Sequence, residues 1–149
     1  MTGTLLHATT ELVVQAWLKS VAGDIVATKL PRDNTSWAAS GFITIATTGG
    51  NSGLYVPLRT PVVSLDCWAV NPQSGRPPWN KATALAEQVV TATYDPAYTP
   101  QMVTLPANYA QARVLTVYPA YEPRRVPDDP GSYARISLGL TANWVEVPS

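Results

Sequence analysis

The side chains able to do chemistry are few, and their spacing brings none of them together. His7 is the single histidine and Cys67 the single cysteine. His7 sits ahead of the first helical pattern, a position suited to contact with a partner rather than to a catalytic base. Cys67 falls on the apolar side of an alternating run, where a thiol acts as a small hydrophobe. A nucleophilic thiol needs exposure and a lowered pKa instead. One histidine and one cysteine cannot build a zinc site, and the carboxylates recur at no calcium-loop spacing. The segment TGGNSG at 48–53 lacks the Gly-Lys-Ser/Thr ending of a phosphate loop and leads into extended sequence, so Gly49, Gly50 and Asn51 read as a hairpin turn. Asp128 and Asp129 stand beside Arg124 and Arg125, a self-neutralising loop rather than a cation site. No catalytic, cofactor or metal residue is expected.

The elements that position these residues are legible from periodicity. In PVVSLDCWAV at 61–70, Val63, Leu65, Cys67 and Ala69 fall on one face of a strand and Val62, Ser64, Asp66 and Trp68 on the other. The first set should meet a core, the second solvent or a neighbour. The proline-rich loop NPQSGRPP at 71–78 is stiff, because proline fixes φ and removes donors. Pro78 suits the start of the following helix, in which Ala82, Leu85, Ala86, Val89 and Val90 share a stripe. An earlier helix is capped by Thr9 or Thr10, carries Glu11 in its first turn and ends at Gly23. Short strands are expected at 24–30, 42–47, 103–105, 112–121 and 133–140, with a last one at 144–147. The segment EPRRVPDDPGS at 122–132 reads as a polar loop. The expected fold class is α+β: one domain over 1–149, an antiparallel β-sheet with two α-helices packed on one face.

Composition narrows the function classes. Lys plus Arg and Asp plus Glu number 10 each, so the net charge is zero, and a general nucleic-acid binder would show a basic excess. Charged residues are 13% of the chain, about half the ~25% usual for soluble domains, and a weakly charged surface invites association. The 14 prolines are spread along the chain and punctuate turns. No apolar run reaches the ~20 residues of a membrane helix, and the opening MTGTLLHATTE lacks the basic start and long apolar core of a secretory leader. Synthesis and retention in the cytosol, with no membrane partner, are therefore expected. Among the five tryptophans, Trp37, Trp68 and Trp79 flank loops or the mixed strand face, where aromatic residues serve as interface anchors.

Five blocks in order carry a resemblance to a known family. They are an opening helix with Trp17-Leu18, a strand ending at Leu30-Pro31, SWAASGFITIATTGG at 36–50, PVVSLDCWAV at 61–70 and PPWNKATALAEQVV at 77–90. Together they resemble the tail terminator, or tail completion, proteins of long-tailed bacteriophages, especially those infecting actinobacteria. The resemblance covers roughly residues 9–95; beyond it the match is one of element type only. It implies a non-enzymatic virion protein, assembled in the host cytoplasm as a six-membered homo-oligomeric ring. That ring would sit on the head-proximal end of the tail tube, stop tube growth and meet the head–tail connector. Genomic DNA would pass through the lumen without specific binding. Contacts to the tail tube protein, the connector or a neighbouring subunit are then expected at Gly49, Gly50 and Asn51, at Arg76, Pro77 and Trp79, and at Arg124, Arg125, Asp128 and Asp129, with Trp37 and Trp68 as further anchors. Arg113 joins Arg76, Arg124 and Arg125 as a candidate lumen or interface charge. Another neck component or a tube subunit is the alternative, and a small enzyme or ligand-binding domain the remote one.

Overall fold

The computed structural model describes residues 8–52, 58–73, 76–127 and 133–147. Helix α1 (Thr10–Ala22) starts where the Thr9 hydroxyl accepts the Leu12 amide at 3.4 Å and stops at Gly23, whose φ of 84° few other residues tolerate. It is followed by β1 (Val26–Ala27), a short 3-10 turn over Asn34–Ser36, and β2 (Phe42–Ser52). Then come β3 (Leu58–Ala69), α2 (Trp79–Thr93), β4 (Gln101–Val103), β5 (Gln111–Val126) and β6 (Ala134–Val147). The described strands form one six-stranded sheet in the order β1-β2-β3-β6-β5-β4. The fold is α+β, as the periodicities predict. One pair departs from the expected antiparallel pattern: β1 runs parallel to β2, so the sheet is mixed.

Alternation explains the layers. Val63, Leu65, Cys67 and Ala69 are all fully buried, facing Ala82, Leu85, Ala86 and Val89 of α2 in the main core. Helix α2 packs on β3, β5 and β6, whereas α1 touches β1 and β2 at one edge and β4 and β5 at the other. Six strands set ~4.8 Å apart span about 24 Å between their outermost members, and a helix is only ~10 Å across. The sheet is curled, and α1 reaches both of its edges.

Two expected loops are strand instead. Residues 49–52 continue β2, paired with Val62, Pro61, Thr60 and Arg59 after a bulge between Thr47 and Gly49. Residues 122–126 continue β5, paired with β6 as far as Val126↔Arg135. Pro123, with the charges and prolines after it, reads as a loop, whereas Pro119 falls inside the strand expected at 112–121; β4 pairs only with Ala112, Arg113 and Val114. Beyond Val114 β5 is an edge strand, where a missing amide is tolerated, and the register shifts near both prolines. The expected strands at 133–140 and 144–147 are likewise one continuous β6.

Candidate interaction surfaces

The candidate residues gather at three places. At the first, on the sheet face away from the helices, residues 28–41 fold over one end of β2 and β3 and enclose a small aromatic core of Trp37, Phe42 and Val70. Trp37 stacks at 6.0 Å on Phe42 and 5.8 Å on Tyr133, and Tyr133 meets Trp68 edge-on at 6.1 Å. Trp37 is 1% exposed, so its ring faces its own chain and is not a surface anchor of the folded subunit. Among the described residues its buried Nε1 donor meets no acceptor. Trp68 is half-buried and donates from Nε1 to Thr44 Oγ1 at 3.0 Å. Arg135 lies 5.0 Å over the Trp68 ring and 3.6 Å from the Asp66 carboxylate. The sequence reading placed Trp68 and Asp66 on this face but missed Tyr133 and Arg135, since only the β3–β6 register sets Arg135 opposite Trp68.

The second place is a groove of about 770 Å³ between α2 and the free part of β5, bordered by Glu87, Tyr94, Tyr121, Glu122, Arg124 and Arg125. Arg125 stacks 4.9 Å from the Trp79 ring at the start of α2, bringing two of the expected contact residues together. Arg124 is exposed beside them. Tyr94 is 74% exposed and Tyr121 40%. The Tyr121 ring lies over Gly139, where a Cβ would stand, and its hydroxyl donates to Ser64 Oγ at 3.2 Å. Arg76 and Pro77 are exposed on the approach to α2, and Arg113 is exposed farther along β5. Asp128, Asp129, Gly53 and His7 lie outside the described residues.

The third place is the backbone of β2 at Gly49, Gly50 and Asn51, the edge of the sheet beyond the reach of β1. Here the sequence signal was read as a turn because two glycines and an asparagine form one so often. Pairing with β3 overrides that preference.

None of the three has the layout of a reaction centre. Burial, with the Asp66 charge adding to it, pushes the Cys67 thiol up to about 12, so the group is a neutral core side chain at ordinary pH. Among the described residues no three His, Cys, Asp or Glu side chains gather as metal ligands. No helix among the described residues is long and apolar enough to cross a membrane.

No family model matches the chain, and no curated protein matches it. A solved structure does: a chain of the virion of a native gene transfer agent particle, with 16% identity and a TM-score of 0.50. The match covers 92% of this chain and 90% of that one. The two share a fold. At that identity the likeness speaks to architecture, and it extends past residue 95, where the five sequence blocks end.

Proposed function

We propose that this chain is a structural virion protein and not an enzyme, a tail terminator that forms a ring on the head-proximal end of a tail tube. The observation that supports the reading most is the shared fold over nearly the whole length of a virion chain. The family resemblance adds the position in the particle. The ring, six-membered by that resemblance, stops tube growth and offers its other side to the head–tail connector. Two distinct patches on one subunit suit such a ring, because a contact between different surfaces closes into a circle when its rotation divides evenly. The α2–β5 groove, with Tyr94, Tyr121, Arg124 and Arg125, and the loop carrying Arg76 and Pro77 are the surfaces assigned to tube or connector. With zero net charge, the lumen lets DNA pass without holding it.

The test is electron microscopy of gold-labelled protein mixed with tail tubes from the same source. Label at one end of each tube, with elongation stopped, is the expected outcome. Label along the tubes would make the chain a tube subunit. Label on heads alone would make it a connector component.

A further inference from the structure

The two edges of the sheet are guarded at one end and open at the other. At the guarded end β1 covers β2 at Ile43 and Thr44, and the opposite edge, β5, carries Pro119, Glu122, Pro123, Arg124 and Arg125. Prolines and charges on an edge are the usual protection against strand addition. At the other end the β2 edge has neither device, while the β4 edge is a three-residue strand preceded by Pro100, with Lys19 among the residues lining the groove beside it. Residues 45–52 of β2, IATTGGNS, contain no proline and no charge, and no described strand pairs with their outer side. The Ile43 amide donates outward to Ile25 O at 2.8 Å. By the period of two, the backbone groups of Ile45 and Thr47 point the same way, and past the bulge those of Gly50 and Ser52.

The other edge is open at the matching level. One row of paired residues crosses five strands: Ser52↔Arg59, Arg59↔Trp144, Trp144↔Val114 and Val114↔Gln101. Its two ends, Ser52 on β2 and Gln101 on the short β4, pair with no further described strand. Beside the β4 edge runs a groove of about 440 Å³, bounded by Leu12, Ala16 and Ser20 of α1 and by Gln101, Met102 and Val103. Met102 is 45% exposed there. Nothing in TTGGNS is larger than threonine or asparagine, so such a strand fits a narrow channel.

We propose that the glycine-rich end of β2 from one copy of this chain lies in the α1–β4 groove of the next copy, as an added strand beside Gln101, Met102 and Val103. This deepens the ring reading and rests on it. Following the antiparallel pairs, β2 and β4 run in the same direction, so copies that share an up-direction meet in a parallel pair. The surfaces are different on the two sides, which makes the contact head-to-tail and able to close.

Cysteine crosslinking tests the junction, because Cys67 is buried and stays out of the reaction. Ser52→Cys and Gln101→Cys proteins are mixed and oxidised, with a Ser52→Cys and Gln73→Cys mixture as the collision control. The expected result is crosslinking about tenfold above that control, as a local concentration near millimolar would give, and none above it for either variant alone. Crosslinking of Ser52→Cys with itself would mean a two-fold edge pairing and overturn the proposal. Background crosslinking in a sample whose rings are visible by electron microscopy would overturn the junction and leave the ring. Crosslinking within open filaments would keep the junction and overturn the ring, and background crosslinking without any assembly would overturn both.

Discussion

Strand β3 carries two kinds of surface only a side chain apart. On the helix side Val63, Leu65, Cys67 and Ala69 are completely buried; each is held by close packing and replaceable only at the cost of a cavity. On the outer side Ser64, Asp66 and Trp68 are half-covered and held by individual polar and ring contacts: Tyr121 to Ser64, Arg135 to Asp66, and Thr44, Tyr133 and Arg135 to Trp68. Apolar packing fixes the subunit's shape on the first face. The second carries aromatic rings kept in orientation by polar neighbours. Substitutions on the two faces should therefore differ in size and in what they disturb.

The largest effect belongs to the inner side. Trp17 is 1% exposed and donates from Nε1 to Tyr98 O at 2.9 Å, tying α1 to the segment before β4. Trp17→Ala should cost about 3–5 kcal/mol, read as a fall in the urea midpoint. A loss below about 0.5 kcal/mol, the level of an ordinary surface change, would break the contrast between the faces.

Cys67 gives the next largest effect, and only in alkali. Its folded pKa, pushed up to about 12, lies above the ordinary thiol value of 9.0, so the unfolded chain loses this proton first. The stabilisation is complete below pH 9 and is lost as pH rises toward 12, with a limiting slope of about 1.4 kcal/mol per pH unit. Over that window the loss sums to about 4 kcal/mol on the same principle. Cys67→Val, which keeps a small apolar side chain, should lose this dependence. Equal alkaline slopes for the two proteins in urea titrations would mean that the thiol is not buried as described.

The inner face was readable because burial repeats. Alternation located β3's core side, and helical spacing gave four of the buried residues of α2. Thr9, Glu11 and Gly23 marked α1 because caps and termini have residue preferences strong enough to see in one sequence. Reading failed where pairing overrode local preference, at Gly49 and Gly50 and at Pro123. The strand order decides those positions, and local sequence does not carry it. The outer face was half legible for the same reason. Trp68 could be placed on it, but its partners Arg135 and Tyr133 come from a segment more than sixty residues away. Trp37, whose place in a polar loop left core packing and an interface anchor both open, is covered because that loop folds back over Phe42 and Val70.

Gly139 tests whether the outer side matters to the subunit at all. Gly139→Ala places a Cβ where the Tyr121 ring lies, so the ring must leave and its bond to Ser64 is lost. Tyr121 is already 40% exposed and has room to swing outward, which keeps the cost near the low end of overpacking, about 1 kcal/mol. The expected signature is a small drop in Tm together with weaker binding of tail tubes, since Tyr121 borders the α2–β5 groove. An unchanged tube affinity with the Tm drop present would confine Tyr121 to a structural part.

The smallest effect is the most diagnostic. Asp66 and Arg135 are 3.6 Å apart with about a quarter of each side chain exposed, 27% and 26%. Such a pair contributes ~0.2–1 kcal/mol at low salt and less as salt rises. Asp66→Asn should thus barely move the urea midpoint, and the small difference from the parent should shrink in molar salt. Arg135 would keep its place over the Trp68 ring, 5.0 Å away, because cation–π attraction does not depend on the carboxylate. Trp68 fluorescence should then be nearly unchanged in Asp66→Asn and clearly shifted in Arg135→Ala. If Asp66→Asn alone shifted it, the carboxylate would be what orients the guanidinium. The outer face would then be a coupled network rather than a set of separate contacts, and its substitutions would no longer add independently.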